Sequence, residues 1–315
     1  MPVLSNYKTI PDVLFYLTQK FEFRDEKPAF LEKVNGKFQP ISYGRIYERT
    51  ELFALGLASI GFRKGGKIAI ISENRPEWMY SDLAILGLGG IDVPIYPIST
   101  SENILFILND SEAAGIIVSN KFHLNKVEKI RNKCKYLKFI IVLNDLEQDE
   151  GKDIYSFNQI CDLGRTFKFS SPNYFVDSAR MVNENELCTI IYTSGTTGEP
   201  KGVMLTHKNI ISNVKGGHDV FDIDYKDTFL SFLPLCHIYE RTTGYLIAFS
   251  CGATIAFAES IEKVAPNILE VKPSIITAVP RLFERIYSKV IKNIESQSEA
   301  KQKLFYWALE TARQY

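Results

Sequence analysis

The stretch that decides the fold is Ile190-Ile191-Tyr192-Thr193-Ser194-Gly195-Thr196-Thr197-Gly198-Glu199-Pro200-Lys201-Gly202. An apolar, β-branched run over 189–192 feeds a loop of glycines and small hydroxyl residues, and a lysine closes it. Glycine lets backbone N–H groups turn toward a ligand with no Cβ in the way, so successive amides can form an anion-binding concavity. Thr193, Ser194, Thr196 and Thr197 add hydroxyl donors, and Lys201 adds a mobile point charge suited to phosphate. The composition asks for a polyphosphate; the plainer alternative is a flexible Gly/Ser/Thr surface loop.

The spacing excludes the commonest phosphate loop. A Walker A element needs four residues between its glycine and a Gly-Lys-Ser/Thr, and nothing of that form follows Gly195. Gly87-Leu88-Gly89-Gly90 likewise lacks the last glycine of a dinucleotide fingerprint. Because 201–205 reads as a short strand, the loop is expected to join two strands rather than a strand and a helix, which lowers any role for a helix dipole.

Outward from the loop, short apolar runs alternate with amphipathic segments. Strands are expected at 67–72, 92–95, 115–119, 139–143, 187–192, 228–233, 253–258 and 274–279. Helices are expected at 43–60, 76–88, 102–108, 208–220, 245–250, 261–271 and 281–294. This alternation means an α/β architecture with largely parallel sheets. Asn74 before Arg75-Pro76, and Thr206 before His207, read as helix starts. Residues 151–185 are the least periodic and read as a connector around Ser170-Ser171-Pro172-Asn173.

A second motif is Phe229-Leu230-Ser231-Phe232-Leu233-Pro234-Leu235-Cys236-His237-Ile238-Tyr239-Glu240-Arg241. Taken alone, His237 is a structural histidine and Glu240-Arg241 a local ion pair. The phosphate run, continued through Pro200-Lys201-Gly202-Val203-Met204-Leu205-Thr206-His207, resembles the signature of the adenylate-forming superfamily of acyl-CoA synthetases, luciferases and peptide-synthetase adenylation domains. The Pro-Leu-x-His-x-x-Glu-Arg pattern resembles its long-chain fatty acyl-CoA synthetase branch. Asp92-Val93-Pro94-Ile95-Tyr96-Pro97-Ile98-Ser99-Thr100 resembles the strand-and-turn segment these enzymes carry before their phosphate loop, and Ala278-Val279-Pro280-Arg281-Leu282-Phe283-Glu284-Arg285-Ile286-Tyr287 resembles a long-chain synthetase segment near the acyl tunnel.

The resemblance implies two packed α/β lobes. The first would hold about 64–150 and 186–207, the second about 10–63 and 208–315, with 151–185 connecting them. It implies that an acid is activated by ATP to acyl-AMP and pyrophosphate, then transferred to coenzyme A, with Mg²⁺ and donors stabilising charge on the phosphates. By resemblance Thr193, Ser194, Gly195, Thr196, Thr197, Gly198 and Lys201 hold ATP, with Thr193 nearest Mg²⁺. His237 would orient the substrate carboxylate and adenylate, and it need not act as a base because a carboxylate is already ionised near neutral pH. His237, Tyr239, Glu240, Arg241 and Gly244 would bound the acyl group, and Tyr245, Ala248 and Phe249 could flank its chain. Leu282, Phe283, Ile286 and Val290 form one face of a helix, with core packing the leading reading and tunnel lining the lesser one.

The family's Tyr-Gly-x-Thr-Glu segment, ribose aspartate, hinge and C-terminal lysine domain are not found here. The chain is therefore expected to be an N-terminal portion that alone makes little acyl-CoA, with the remainder supplied in cis. Leu304, Trp307, Ala308 and Thr311 are expected on the inner face of a last helix. Adenylation of a different acid, or non-catalytic nucleotide or acyl binding, are the alternatives.

Composition bounds the rest. Lys plus Arg (37) equals Asp plus Glu (37), so no net field favours nucleic acid. The basic side chains between Lys121 and Lys138 read as a solvated face before a contact with anionic lipid or CoA phosphate. Cys134, Cys161, Cys188, Cys236 and Cys251 have no metal or disulfide spacing, which suits reduced thiols in a cytoplasmic protein. No run reaches transmembrane length, so any membrane contact would be peripheral, on the inner face.

Overall fold

The computed structural model describes residues 7–21, 27–146, 151–193 and 200–313. The deciding stretch folds as β8 (Leu187–Thr193) and β9 (Lys201–Thr206), paired antiparallel so that Thr193 stands opposite Lys201. The phosphate segment thus connects two strands, as its pattern predicts; Ser194 to Glu199 lie outside the described residues. β8 also runs parallel to β4 (Ile91–Ile95), and the sheet continues through β3 (Lys67–Ile71), β5 (Gly115–Val118), β6 (Phe139–Val142) and β7 (Ile154–Ser156). Its seven strands lie in the order β7-β6-β5-β3-β4-β8-β9, all parallel except β9.

Such a sheet must be covered on both faces. Ile68 and Ile70 of β3 point into one core and Ala69 and Ile71 into another, as period-two alternation requires. The first core takes in α1 (Ile10–Phe21), α2 (Tyr43–Ser59), α3 (Pro76–Gly87) and α6 (Phe157–Ser170); the second takes in α4 (Ser101–Asp110) and α5 (Lys121–Glu128). A second sheet joins the first core. It has four strands in the order β10 (Thr228–Ser231), β11 (Thr254–Phe257), β1 (Phe30–Val34) and β2 (Lys37–Ile41). Its β10, β11 and β1 are parallel.

The structure adds detail to these expectations. Residues 151–185 contain β7, α6 and α7 (Tyr174–Arg180). α6 lies against α2 because two glycines let the backbones meet: a Cβ on Gly164 would stand 1.8 Å from the Leu52 carbonyl oxygen, and one on Gly56 2.0 Å from that of Ile160. The strand expected over 274–279 reduces to one bridge, Phe229 with Ile275. α3 is preceded by Arg75 in extended conformation with Pro76 at its first turn, and Asn74 does not cap it because its side chain is engaged across the sheets. By contrast, Thr206 caps α8 (His207–Val220) in a reciprocal box with Asn209.

Beyond β10, a π-helix spans Glu240–Ile247 and runs into α9 (Ala248–Cys251), where an α-helix over 245–250 was expected. α10 (Val264–Val271) closes this body, which ends at Ile276. Residues Thr277–Tyr315 form a separate unit of α11 (Pro280–Glu295) and α12 (Glu299–Arg313). No residue of α11 or α12 is buried, and Phe283, Ile286, Val290, Leu304 and Trp307 are exposed rather than packed in a core. Among the described residues no helix is long and apolar enough to cross a membrane.

Candidate active site

Ligands of open parallel sheets bind beyond the carboxyl ends of the strands. Here those ends meet in a cleft of about 400 Å³. Its walls come from residues just past four strands: Glu73 and Asn74 after β3, Tyr96 after β4, Phe232 after β10 and Ser260 after β11. Since β8 is parallel to β4, Thr193 at its end stands at this same edge.

Thr193 and Lys201 are both exposed. As directly opposed residues they lie on one face of the hairpin. Period two along β8 puts Thr189 on that face as well, and Thr189 is where the second motif docks. Arg241 Nη1 donates to Thr189 Oγ1 at 2.8 Å, and Nη2 lies 2.6 Å from Asp82 and 3.0 Å from Asp92. All three charged side chains are fully enclosed. Burial pushes both aspartate carboxyls up and the guanidinium pulls them down; the same two carboxylates hold Arg241 charged. Arg241 thus pairs with α3 and β4, and its neighbour Glu240 does not form the local ion pair the bare sequence allows. Glu240 accepts instead from Ser231 Oγ at 2.7 Å, and burial pushes its carboxyl up to about 8. Gly244 lies close beneath it, and a Cβ there would stand 2.5 Å from that carboxyl, so one of the two would have to move.

His237 sits between these anchors and is exposed. Its N–H donates to Pro234 O at 2.9 Å, and its ring lies edge-on to Tyr96 with centroids 6.3 Å apart. Nδ1 accepts from the Tyr239 N–H at 3.2 Å, so in the neutral ring the proton is on Nε2, which becomes a donor. Tyr239 is itself exposed, and its carbonyl accepts from Thr243 Oγ1 at 2.6 Å. Glu240, Arg241 and Gly244 are buried and face polar partners, while Tyr245, Ala248 and Phe249 lie in the closed core. The open side of the π-helix faces α8 across a groove of about 380 Å³ bounded by Gly216, Val220, Phe221, Thr243 and Ile247.

Asn74, Asp82, Asp92 and Thr189 join this site without being singled out for it from sequence. The legible signal was an aspartate inside each of two apolar elements, Asp82 in α3 and Asp92 in β4, since a buried charge demands a partner. Among the described residues no group of three or more His, Cys, Asp or Glu converges as a metal-ligand set.

Thr193, at the end of β8, and the loop that carries His237 thus both stand at the carboxyl edge of the strands. The chain belongs to the family of AMP-binding enzymes, whose profile matches residues 18–311. It is 28% identical over 297 residues to a long-chain-fatty-acid–CoA ligase of Mycobacterium bovis, covering 93% of this chain and 48% of that protein. It is 29% identical over 325 residues to a chloroplastic long-chain-fatty-acid–[acyl-carrier-protein] ligase of Arabidopsis thaliana, covering 99% and 43%. The chain therefore spans somewhat under half the length of these relatives. The crystal structure of a long-chain-fatty-acid–CoA ligase from Archaeoglobus fulgidus matches with a TM-score of 0.73 at 25% identity, over 94% of this chain and 56% of that one. An anthranilate CoA ligase bound to anthranoyl-AMP shares the fold at a TM-score of 0.74 and 24% identity, over 87% and 50%.

Proposed function

We propose that this chain carries the nucleotide and acid sites of an ATP-dependent long-chain fatty acid–CoA ligase. The fatty carboxylate oxygen attacks the α-phosphorus of ATP, an O–P bond forms, the α–β phosphoanhydride breaks and pyrophosphate leaves. The thiol of coenzyme A then displaces AMP from the acyl adenylate. Lys201 and the segment from Thr193 to Gly198 would hold the β- and γ-phosphates. Mg²⁺ would neutralise charge there beside the Thr193 hydroxyl. His237, through its Nε2 proton, would orient the carboxylate and then the acyl adenylate.

The observation that carries this reading is the Arg241–Thr189 contact. It places the histidine motif and the strand entering the phosphate segment on one side of one sheet. The long-chain relatives favour a fatty acid, and the groove between α8 and the π-helix, bounded by Ile247 and Phe221, would receive its chain. The two sheets would be the cores of two lobes, and any contact with a membrane would be peripheral.

The test is acid-dependent exchange of pyrophosphate into ATP by the protein isolated from its own cells. Exchange with palmitate and not with anthranilate or amino acids supports the reading. Exchange with aryl or amino acids alone would replace the substrate, and nucleotide binding without exchange would leave a non-catalytic binding protein.

A further inference from the structure

Asn74 follows β3 and lies half-buried in the wall of the cleft. Every polar group of its side chain is used across the junction of the two sheets. The amide donates to Ser231 Oγ at 2.9 Å and to the Leu233 carbonyl at 2.7 Å, and its oxygen accepts from the Leu235 N–H at 3.1 Å. Leu233 can offer only an acceptor and Leu235 only a donor, so the amide fits one way round. Ser231 in turn donates to Glu240, the first residue of the π-helix. One side chain from the large sheet therefore grips residues 231, 233 and 235 and, through Ser231, reaches residue 240. His237 lies inside that span.

We propose that Asn74 is a positioning residue for His237: it holds the loop against the large sheet so that the imidazole stands beside Tyr96 at the mouth of the cleft. Its own polar atoms are engaged, so it acts through the loop and not on the substrate. This inference rests on reading His237 as the group that orients the acyl carboxylate, but its test needs no turnover. A substitution to aspartate would not restore the grip, because a carboxylate cannot donate to Ser231 or Leu233 and would face the Leu233 carbonyl with like charge.

The chain has four histidines, so side-chain NMR spectra of the full chain can be assigned with one His→Gln variant each. Asn74→Ala is expected to shift and broaden the His237 ring signals while those of His207 and His218 stay in place. Asn74→Asp should behave like Asn74→Ala. Ser231→Ala, which removes one of the three Asn74 contacts together with the bond from Ser231 to Glu240, should move His237 in the same direction, and it keeps the test open if Asn74→Ala does not fold. Unmoved His237 signals in every folded variant would overturn the proposal, as would equal movement of all four histidines, which marks a general loss of structure. Absence of pyrophosphate exchange with any of the acids tested in the unmodified protein would instead remove the catalytic reading and leave this geometric result standing.

Discussion

Arg241 and Thr189 are 52 residues apart in sequence and 2.8 Å apart in space, and their contact registers the two halves of the site. His237 lies four residues before Arg241, and Thr193 lies four residues after Thr189. One guanidinium thus sets how the group proposed to meet the acid stands against the strand that enters the proposed phosphate segment.

That arrangement makes Arg241 hard to replace. Arg241→Met would leave Asp82 and Asp92 enclosed with no counter-charge, and breaking a buried pair in this way costs about 3–5 kcal/mol. Urea unfolding near neutral pH should show that loss. The loss should shrink as the pH is lowered, because a protonated carboxyl carries no charge to strand. Adding Asp82→Asn and Asp92→Asn to Arg241→Met should recover much of the stability, and failure to recover any would mean the cluster is held by shape rather than charge.

Glu240 predicts a pH effect of definite sign. Its folded-state carboxyl is raised by burial to about 8 from the ordinary 4.5, so the unfolded chain loses this proton first as pH rises. Its contribution to stability is therefore complete below about pH 4.5, is lost progressively up to about pH 8, and is flat above. Glu240→Gln keeps an oxygen for Ser231 and cannot ionise. It should flatten the profile and gain on the order of 1–3 kcal/mol at pH 8 relative to the parent. Parallel profiles for the two proteins, measured by urea titration, would refute the assignment.

Two helical glycines should respond oppositely to the same substitution. Gly244→Ala drives a Cβ to 2.5 Å from the Glu240 carboxyl, and overpacking of that kind costs about 1–3 kcal/mol. Gly216 lies exposed in α8 with nothing within 4 Å of the added Cβ. Gly216→Ala should therefore stabilise by about 0.5–1 kcal/mol through helix propensity alone. Thermal melts of the pair, at fixed pH, separate the two cases.

The sequence made the large sheet legible because β3, β5 and β6 are apolar runs and β4 and β8 are mostly so, the pattern of strands buried on both faces. It missed β1 and β2, which form a short hairpin on the second sheet with mixed polar residues such as Glu32, Lys33 and Gln39 and only partial burial. α6 hid behind Gly164, Arg165 and Lys168, which dilute its apolar stripe, although Phe157, Ile160 and Cys161 carry it. At the site, the two motifs announced themselves by residue type. Of the residues that join them, Asn74 and Thr189 did not, because they acquire meaning only from partners more than fifty positions away.

Lys201 offers the most direct check on the nucleotide reading. It is exposed and stands opposite Thr193, so Lys201→Met should change stability by no more than about 0.5 kcal/mol. A charge-assisted contact to phosphate is worth about 1.5–3 kcal/mol, which corresponds to roughly ten- to hundredfold in ATP affinity. AMP lacks the β- and γ-phosphates that Lys201 is proposed to meet, so its affinity should be nearly unchanged. Calorimetric titration of both nucleotides into parent and variant therefore has a differential outcome. Loss for ATP alone places the lysine on the outer phosphates. Equal loss for both would move it to the α-phosphate, and no loss for either would remove it from the site.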